Sequence, residues 1–431
     1  MRSGPPLWKV RRELARLGRD LVSYPSELAR KVYFRRWYDH VSARTIRQTE
    51  GACPDAPEIG LYVVFPVSGG QATHLRFLDE MRAAGIAPVV VSNLPLSQAD
   101  RTRFAARSRL VVERPNVGRD FGGYRDGILA IAPLLSRLDR LWLLNDSVWL
   151  VPGGGGWFSE ARGLGADMVA ATSNFALPRP DPDRFREIFW APSTAHRNFH
   201  YASYALGFGG RILRDPGFLR FWRRLDIRDD KARTVRRGEI GLSQWVLRHG
   251  FTHGATAGIE TLDREISALP DRRLDHLART LVIPDCPRLE AARQEVLLTD
   301  PRSSRGREDR IRLVLATVAR VARAYALPAH DLPRGFPFIK KSPLRLSPGG
   351  AERLMTVLLE NGQLVGEDIL REAREMVRPD TPASPSTDRL PVSAAVKPSV
   401  PPKRRAPVGP RGALWAETAA GPATTGARGV R

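Results

Sequence analysis

From about residue 57 onward, short apolar runs alternate with stretches of helical spacing, and this alternation restricts the chain to α/β folds. Apolar runs of strand length lie at residues 59–66, 87–92, 109–113 and 140–144. The spacing between them predicts a helix over 72–84 and one from Asp120 to Leu138, bent at Pro133. A further strand is expected at 167–171, and further helices at 242–249, 311–325 and 352–360. The pattern predicts a doubly wound, mostly parallel sheet.

Composition and pattern divide the chain into four regions. Residues 1–48 form a basic arm, 57–300 hold the alternating pattern, and 301–377 are predicted to be a helical extension. Residues 379–431 are rich in Pro, Ala, Ser, Thr and Gly, a composition that cannot bury a core, so this basic tail is predicted to be disordered. A chain of 431 residues exceeds the usual size of a single core, in keeping with this division.

Positive charge dominates the composition. The chain has 68 Lys and Arg against 46 Asp and Glu, which gives a net charge of +22 at pH 7. This excess favours an anionic partner: a nucleic acid, an anionic membrane surface or a phosphate-bearing substrate. Nucleic acid is the least favoured, because no known nucleic-acid-binding motif is recognisable and much of the excess lies at the chain ends.

The basic arm carries an amphipathic pattern. Its apolar residues follow the spacing of one helix face: Leu7, Val10, Leu14, Leu17 and Leu21. Arginines lie between them, so the pattern predicts a helix over 7–24 that attaches to an anionic membrane surface. An arm packed on its own domain, or a short coiled coil, is an equal alternative, since ordinary packing uses the same spacing.

The sequence also excludes several classes of protein. Basic residues interrupt the N-terminal apolar stretch, so no signal peptide is expected. No apolar run approaches the ~18 residues that span a bilayer, so the protein is expected to be soluble or to lie on a membrane. Its two cysteines, Cys53 and Cys286, exclude a disulfide framework, and no Cys and His spacing is typical of zinc.

The strongest candidate for a ligand site is the glycine-rich stretch 116–127. It falls at a predicted strand-to-helix junction, where unpaired N–H groups and a partial positive charge favour phosphate. Arg119 offers donors to a phosphate, Asp120 an acceptor for a ribose hydroxyl, and Asn116 a further contact to the nucleoside. The alternative is a turn whose glycines serve packing and whose charges cap the helix.

Two other segments lie at the predicted carboxyl ends of strands, where doubly wound sheets bind ligands. The loop after the first strand carries Ser68 and Gly69, and the fourth strand ends in Asn145, Asp146 and Ser147. The Asp146 carboxylate suits a divalent cation, Mg²⁺ or Mn²⁺, that bridges diphosphate oxygens. A helix N-cap is the alternative role for Asp146.

Two later segments carry polar residues that suit a sugar site. Glu239 comes just before the predicted helix at 242–249, where it is either a general base or an acid that favours the helix start. Spacing alone favours the second role. The polar and aromatic cluster from His200 to Tyr204 suits contacts with a sugar or a phosphate, and buried structural roles suit it equally well.

In combination, these segments resemble the rhamnan synthesis protein F family of bacterial polysaccharide enzymes. The matching segments follow in the order 116–127, 144–148, 200–208, 238–251 and 336–341. The resemblance covers roughly residues 57–345 and implies a GT-A-like domain of a glycosyltransferase. It also implies a nucleoside-diphosphate sugar as donor (dTDP-rhamnose foremost) and a glycan or lipid-linked glycan as acceptor. The implied location is the cytoplasm, on the inner face of the bacterial plasma membrane.

The chain departs from the related inverting GT-A enzymes at two acidic positions. Ser147 stands where the last carboxylate of the metal motif is expected, and Ile240 stands where the base is expected. The resemblance therefore implies that Asp146 alone holds the metal and that Glu239 substitutes as the base. The same departures keep a second hypothesis open, a noncatalytic scaffold or binding protein of a polysaccharide assembly complex.

Overall fold

The runs predicted as strands become neighbouring strands of one sheet. A computed structural model describes residues 38–39, 42–175, 177, 180–227 and 235–377 of the chain. The arm helix predicted over 7–24 and the tail predicted over 379–431 lie outside these residues. Within them the strands are β1 (Arg47–Glu50), β2 (Glu58–Val64), β3 (Ile86–Ser92), β4 (Leu110–Glu113), β5 (Arg140–Asn145), β6 (Val148–Leu150), β7 (Met168–Asn174), β8 (His200–Tyr201), β9 (Ala205–Gly209), β10 (His253–Ala257) and β11 (Phe338–Lys340).

The central part of the main sheet is parallel. Its strand order is β1-β4-β3-β2-β5-β9-β7-β10, and β8 pairs with β7. Strands β4, β3, β2 and β5 are parallel neighbours, while β1 and β9 join them in antiparallel orientation. The chain leaves β2 on one side for β3 and β4 and returns to its other side for β5. The carboxyl ends of β2 and β5 therefore flank a topological switch point, where such sheets open a crevice.

Helices occupy most of the remaining described chain. They are α1 (Ala72–Ala83), α2 (Gln98–Ala105), α3 (Arg119–Ala130), α4 (Gly156–Gly163), α5 (Gly210–Leu213), α6 (Pro216–Arg224), α7 (Gly241–Arg248), α8 (Leu262–Ser267), α9 (Asp271–Thr280), α10 (Pro287–Leu297), α11 (Ser304–Val321), α12 (Arg323–Ala326), α13 (Pro328–Asp331), α14 (Pro343–Leu346), α15 (Pro348–Glu360), α16 (Gly362–Val365) and α17 (Glu367–Val377). The prediction of an α/β protein with a helical C-terminal part is confirmed.

Two helix predictions were too long. Helix α3 gives way to a 3-10 helix at Ala132–Arg137, so the prediction of one helix to Leu138 is wrong. Pro133 lacks the N–H that a continuing α-helix needs, and the expected bend is therefore a change of helix type. Similarly, Ala322 has a φ of +77° and divides the helix predicted over 311–325 into α11 and α12.

Both faces of the sheet are covered, as a doubly wound fold requires. Strand β2 is almost wholly buried, and its alternate side chains enter two separate apolar clusters. On one face Tyr62 stacks on Phe77 of α1, with 4.5 Å between ring centroids. On the other face α3 lies close to Val63, because a Cβ added at Gly123 would come within 2.7 Å of it. The glycine at this position allows α3 to approach the end of β2.

The C-terminal helices are joined to the sheet region by direct contacts. Strand β11 pairs antiparallel with β6, which directly follows β5, and aligns Lys340 with Val148. Helix α17 reaches α1, where Glu372 accepts a hydrogen bond from Thr73 at 2.5 Å and Asp368 pairs with Arg76. These contacts bring residues near 340 and 372 beside the ends of β2 and β5. Among the described residues, no helix combines the length and apolar character needed to cross a membrane.

Candidate functional site

The ends of β2 and β5 are joined by the predicted residue Asp146. Its Oδ2 accepts a hydrogen bond from the backbone N–H of Phe65 at 2.6 Å, and its own N–H donates to the carbonyl of Val63 at 3.0 Å. These bonds fix the start of the loop that carries Ser68 and Gly69, the latter at a φ of +79°. A strand follows Asp146 rather than a helix, so the alternative of a helix N-cap is wrong.

Asn145 links the end of β5 to helix α3. Its side chain is buried, and its Nδ2 donates to Asp120 Oδ2 and to the Tyr124 hydroxyl, both at 3.1 Å. Its Oδ1 accepts from the backbone N–H and the hydroxyl of Ser147, at 3.1 and 2.5 Å. The structure thus brings two predicted residues, Asp120 and Asn145, into direct contact.

The same network extends to the predicted base, Glu239. The Tyr124 hydroxyl donates to the carbonyl of Ser203 at 2.8 Å. The N–H and hydroxyl of Ser203 in turn both donate to Glu239 Oε1, the former at 3.2 Å. Glu239 lies in the π-helix Val235–Ile240 just before α7, and these bonds point it to Ser203 instead of to a helix start. Asp146 lies between two members of this network in the chain, and its charge acts on Tyr124. We call the network together with Asp146 the strand-end cluster: Asp120, Tyr124, Asn145, Asp146, Ser147, Ser203 and Glu239.

The charges of this cluster act on Tyr124 at its centre. Burial raises the pKa of the Tyr124 hydroxyl well above its ordinary value, and the negative charges of Asp120, Glu239 and Asp146 raise it further. Tyr124 therefore stays protonated and serves as a hydrogen-bond donor at all physiological pH values. Its position four residues after Asp120 places both side chains on one face of α3, a signal that the sequence contained and that our prediction missed.

The turn before α3 has unusual backbone geometry. Gly118 has a φ of +74°, and a Cβ there would lie 2.8 Å from Cβ of Ile227, so only glycine fits. Arg119 also has a positive φ, +51°, which costs a residue with a side chain about 1–3 kcal/mol and is typical of functional turns. Asn116 is exposed and Arg119 half-buried at this turn, as their predicted contacts to a nucleotide require.

Beneath this turn lies a second polar cluster. Arg114 donates to Asp126 Oδ2 at 2.6 Å, to the Tyr38 hydroxyl at 2.8 Å and to the carbonyl of Val117 at 2.6 Å. Arg125 donates to the other oxygen of Asp126 at 3.1 Å. We call Tyr38, Arg114, Arg125 and Asp126 the anchor cluster. Two charged residues of the glycine-rich stretch, Arg125 and Asp126, thus lie in the interior and hold the turn from below.

The two predicted sugar contacts lie in different surroundings. Tyr204 is 1% exposed, and its hydroxyl is paired with the Thr172 hydroxyl at 3.0 Å. Burial raises the pKa of Tyr204 above its ordinary value, so the residue supports the site from beneath as a neutral ring. His200 is half-buried in β8, where its Nδ1 is 2.8 Å from the carbonyl oxygen of Asn198.

One residue near the strand ends gave no sequence signal. His74 of α1 is 3% exposed, and its Nε2 lies 3.7 Å from Asp146 Oδ2. Its Nδ1 accepts from the backbone N–H of Gln71 at 3.2 Å. Burial lowers the pKa of His74 to about 4, so the imidazole is neutral at pH 7. Only the packing of α1 on the sheet brings this ring to Asp146.

Two lysines of the 336–341 segment lie near the carboxyl end of β5. Lys340 donates to the Ser147 hydroxyl at 2.9 Å, and its ammonium lies 4.8 Å from the ring centre of Tyr204. Lys341 donates to Glu372 Oε1 at 2.6 Å. Burial opposes ionisation of Glu372, but the charge of Lys341 and its hydrogen bond lower the pKa of Glu372 to about 2. The pair Lys341 and Glu372 is therefore charged on both sides.

The donor set of the strand-end cluster does not fit a protein-bound divalent cation. The described residues contain no group of three or more His, Cys, Asp and Glu side chains placed to bind a metal. Asp146 Oδ2 is already engaged by Phe65 N–H, and Ser147 offers a hydroxyl in place of a carboxylate. The ammonium of Lys340 lies at that hydroxyl and would repel a cation. No reaction step is therefore assigned to Mg²⁺ or Mn²⁺.

The fold and this geometry define a mixed α/β protein with a polar site at the carboxyl ends of its central strands. No family model matches the chain. It is similar to the uncharacterized protein y4gN of Sinorhizobium fredii (strain NBRC 101917 / NGR234), with 29% identity over 247 residues. The matched part is 56% of this chain and spans 59% of that protein's length. The resemblance to rhamnan synthesis proteins stays a prediction.

Proposed function

We propose that the protein is a glycosyltransferase that moves a deoxyhexose, rhamnose foremost, from a nucleoside-diphosphate sugar onto a bacterial surface polysaccharide or lipid-linked glycan. The strand-end cluster is the observation that carries this proposal. Hydrogen bonds connect Asp120 to Glu239 through Asn145, Tyr124 and Ser203 at the switch point of the sheet. A GT-A-like domain requires this kind of mostly parallel sheet, with a nucleotide-sugar site at its strand ends.

On this proposal the nucleoside lies between the β2 loop and the start of α3. Ser68 lies exposed and Gly69 half-buried on one side, and Asn116 lies exposed on the other. The carboxylate of Asp120 accepts a hydrogen bond from a ribose hydroxyl, and the hydrogen bond from Asn145 holds that carboxylate in position. Arg119 directs its guanidinium to the diphosphate, which the N-terminus of α3 also favours.

Glu239 is the base for the transfer step. Its Oε1 is held by Ser203, and among the described residues no hydrogen bond engages its Oε2. The acceptor hydroxyl gives its proton to Glu239 while its oxygen forms a bond to the anomeric carbon. The bond between that carbon and the diphosphate oxygen breaks, and the nucleoside diphosphate leaves with the electron pair. The half-buried His200 lies on the sugar side of the site, and the buried Tyr204 supports that side from beneath.

Calorimetry with dTDP-rhamnose tests the donor site. We expect wild type to bind it and Asp120→Ala to bind at least about 10-fold more weakly, because a charge-assisted hydrogen bond is lost. Asp285→Ala is the matched control, since it removes an exposed carboxylate outside the cluster. UDP-, GDP- and other dTDP-sugars serve as further donors. A wild-type protein that binds none of these, with Mn²⁺ or with EDTA, would overturn the proposal.

A noncatalytic scaffold of a polysaccharide assembly complex is the second candidate. The observation in its favour is that both acidic positions of the related enzymes are changed, and Ser147 and Glu239 are instead tied into internal hydrogen bonds. This candidate predicts that Glu239→Gln complements a deletion strain as well as wild type does. Transferase activity predicts failure of that variant, so the one complementation experiment separates the two.

We further propose that the protein acts on the inner face of the plasma membrane. The net charge of +22 and the amphipathic pattern over residues 7–24 support attachment to anionic lipid. Sedimentation with vesicles that contain anionic lipid tests this, with wild type compared with a chain lacking residues 1–30. This truncation keeps Tyr38 and with it the anchor cluster. Equal sedimentation of both chains would contradict attachment through the arm.

A further inference from the structure

The ammonium of Lys340 lies at the side chain of Ser147, which directly follows Asp146 in the chain. The pairing of β11 with β6 aligns Lys340 with Val148, the residue that directly follows Ser147 in the chain. Its Nζ donates to the Ser147 hydroxyl at 2.9 Å, and that hydroxyl donates to Asn145. The ammonium therefore belongs to the hydrogen-bond network of the strand-end cluster, although 193 residues separate Lys340 from Ser147 in sequence.

The charge of Lys340 is not cancelled within the described part of the chain. Lys341 next to it forms an ion pair with Glu372 at 2.6 Å, whereas the described residues give Lys340 no carboxylate partner. Its neighbours are instead the Ser147 hydroxyl and the rings of Tyr204 and Tyr325, 4.8 and 5.6 Å from Nζ to the ring centres. Aromatic faces stabilise an ammonium without neutralising it, and its other N–H donors remain for a ligand.

We propose that Lys340 binds the diphosphate of the donor and takes the place of a divalent cation, so that donor binding needs no metal. This inference rests on the proposed function. A nucleoside diphosphate needs positive charge both when it binds and when it leaves, and a lysine supplies this as a point charge. Ser147 favours such an arrangement, because a carboxylate at that position would pair with Lys340 and cancel its charge.

Binding of nucleoside diphosphates without metal tests the assignment. Calorimetry in EDTA compares dTDP, UDP and GDP with the matching monophosphates on wild type, Lys340→Met and Lys340→Arg. Methionine keeps an unbranched stem between the tyrosine rings but removes the charge, and arginine keeps the charge. Arg345→Met is the matched control, since it removes one exposed positive charge from the same segment.

We expect wild type to bind at least one diphosphate in EDTA, with no more than about 3-fold tightening by Mg²⁺ or Mn²⁺. Lys340→Met should weaken diphosphate binding about 10- to 100-fold and monophosphate binding much less, because the β-phosphate carries the contact. Lys340→Arg should retain most of the affinity, and Arg345→Met all of it. Thermal unfolding of each variant confirms that it is folded.

Two results would overturn the assignment, and they differ from failure of the proposed function. If wild type binds a diphosphate only with Mg²⁺ or Mn²⁺, a metal binds the donor and Lys340 does not replace it. If Lys340→Met binds diphosphate in EDTA as tightly as wild type does, the ammonium makes no contact. If wild type binds no nucleotide in any condition, the proposed function fails, and the role of Lys340 fails with it.

Discussion

Two polar clusters lie on helix α3 and share its glycine-rich start, yet their charges are arranged in opposite ways. In the anchor cluster, guanidinium groups and carboxylates face each other in the interior, as in the contact of Arg114 with Asp126. In the strand-end cluster, carboxylates surround a tyrosine, while Arg119 and Lys340 have no carboxylate partner among the described residues. Matched buried charges hold a turn in place, and unmatched charges at a crevice can take a ligand.

The largest effect should come from breaking the anchor cluster. Asp126→Ala leaves two buried guanidinium groups, those of Arg114 and Arg125, without the carboxylate that both contact. We expect the free energy of unfolding to fall by about 3–5 kcal/mol, measured by urea denaturation. A loss below about 1 kcal/mol would show that the cluster does not hold the turn and would remove the contrast between the two clusters.

Replacing the proposed base in the strand-end cluster should affect activity far more than stability. Glu239→Gln keeps an oxygen that can accept from Ser203 but cannot take a proton from an acceptor hydroxyl. Transfer of labelled sugar to a glycan acceptor should fall about 10²- to 10⁴-fold, with the free energy of unfolding within about 1 kcal/mol of wild type. A variant that transfers sugar at the wild-type rate would exclude Glu239 as the base.

Among the described residues Lys341, unlike its neighbour Lys340, is paired with a carboxylate, and this pair should make the free energy of unfolding depend on pH. The pKa of Glu372 is about 2 in the folded protein against an ordinary 4.5, because burial is outweighed by the charge of Lys341. Since the folded pKa is the lower one, its stabilisation is complete above about pH 5 and disappears as the pH falls toward 2. Between pH 6 and pH 3, wild type should lose about 2 kcal/mol of stability through this group.

Urea denaturation across this pH range measures the loss, with Glu372→Gln as the matched variant. The variant should lose about 2 kcal/mol less than wild type between pH 6 and pH 3. Parallel curves for the two proteins would show that Glu372 does not pair with Lys341 in solution. The contrast between a neutralised and a free lysine would then lose its basis.

The smallest effect concerns the tyrosine that connects the strand-end cluster. Tyr124→Phe removes the hydroxyl that donates to Ser203 and accepts from Asn145, while the ring keeps its packing. We expect a loss of about 1–2 kcal/mol in unfolding free energy and a weaker hold on the loop that positions Glu239. Differential scanning calorimetry of thermal unfolding measures the loss of stability. A rise in KM for the acceptor would report the weaker positioning of Glu239.

The central strands could be predicted from the sequence because their signal is local. The run predicted at 140–144 is β5, and that at 87–92 is β3, each within a residue or two. The insertion of β9 between β5 and β7 could not be predicted in this way. That strand pairs with segments distant in sequence, and no local pattern specifies which neighbour a short apolar run will take.

The residues of the candidate site also fall into those with a local sequence signal and those brought together by segments distant in sequence. Asn145 directly follows a predicted strand, and Asp120 begins the helix predicted after another strand of the same sheet. Their contact agrees with the rule that the carboxyl ends of parallel strands meet at one edge of the sheet. Neither His74 nor Lys340 was predicted to lie at Asp146 and Ser147, because α1 packing and the β11–β6 pairing bring them there. Arg125 and Asp126 lie two turns into the glycine-rich stretch, and only the packing of α3 shows that they point inward.

Hydrogen–deuterium exchange with and without dTDP-rhamnose tests the central claim most directly, because it measures both clusters in one experiment. We expect slower exchange on ligand addition in peptides that cover residues 65–70, 145–148 and 338–341. Peptides that cover β1 and β4, beside the anchor cluster, should exchange at unchanged rates. Protection confined to regions outside the strand ends, at ligand concentrations that saturate binding, would contradict the assignment of the strand-end cluster as the donor site.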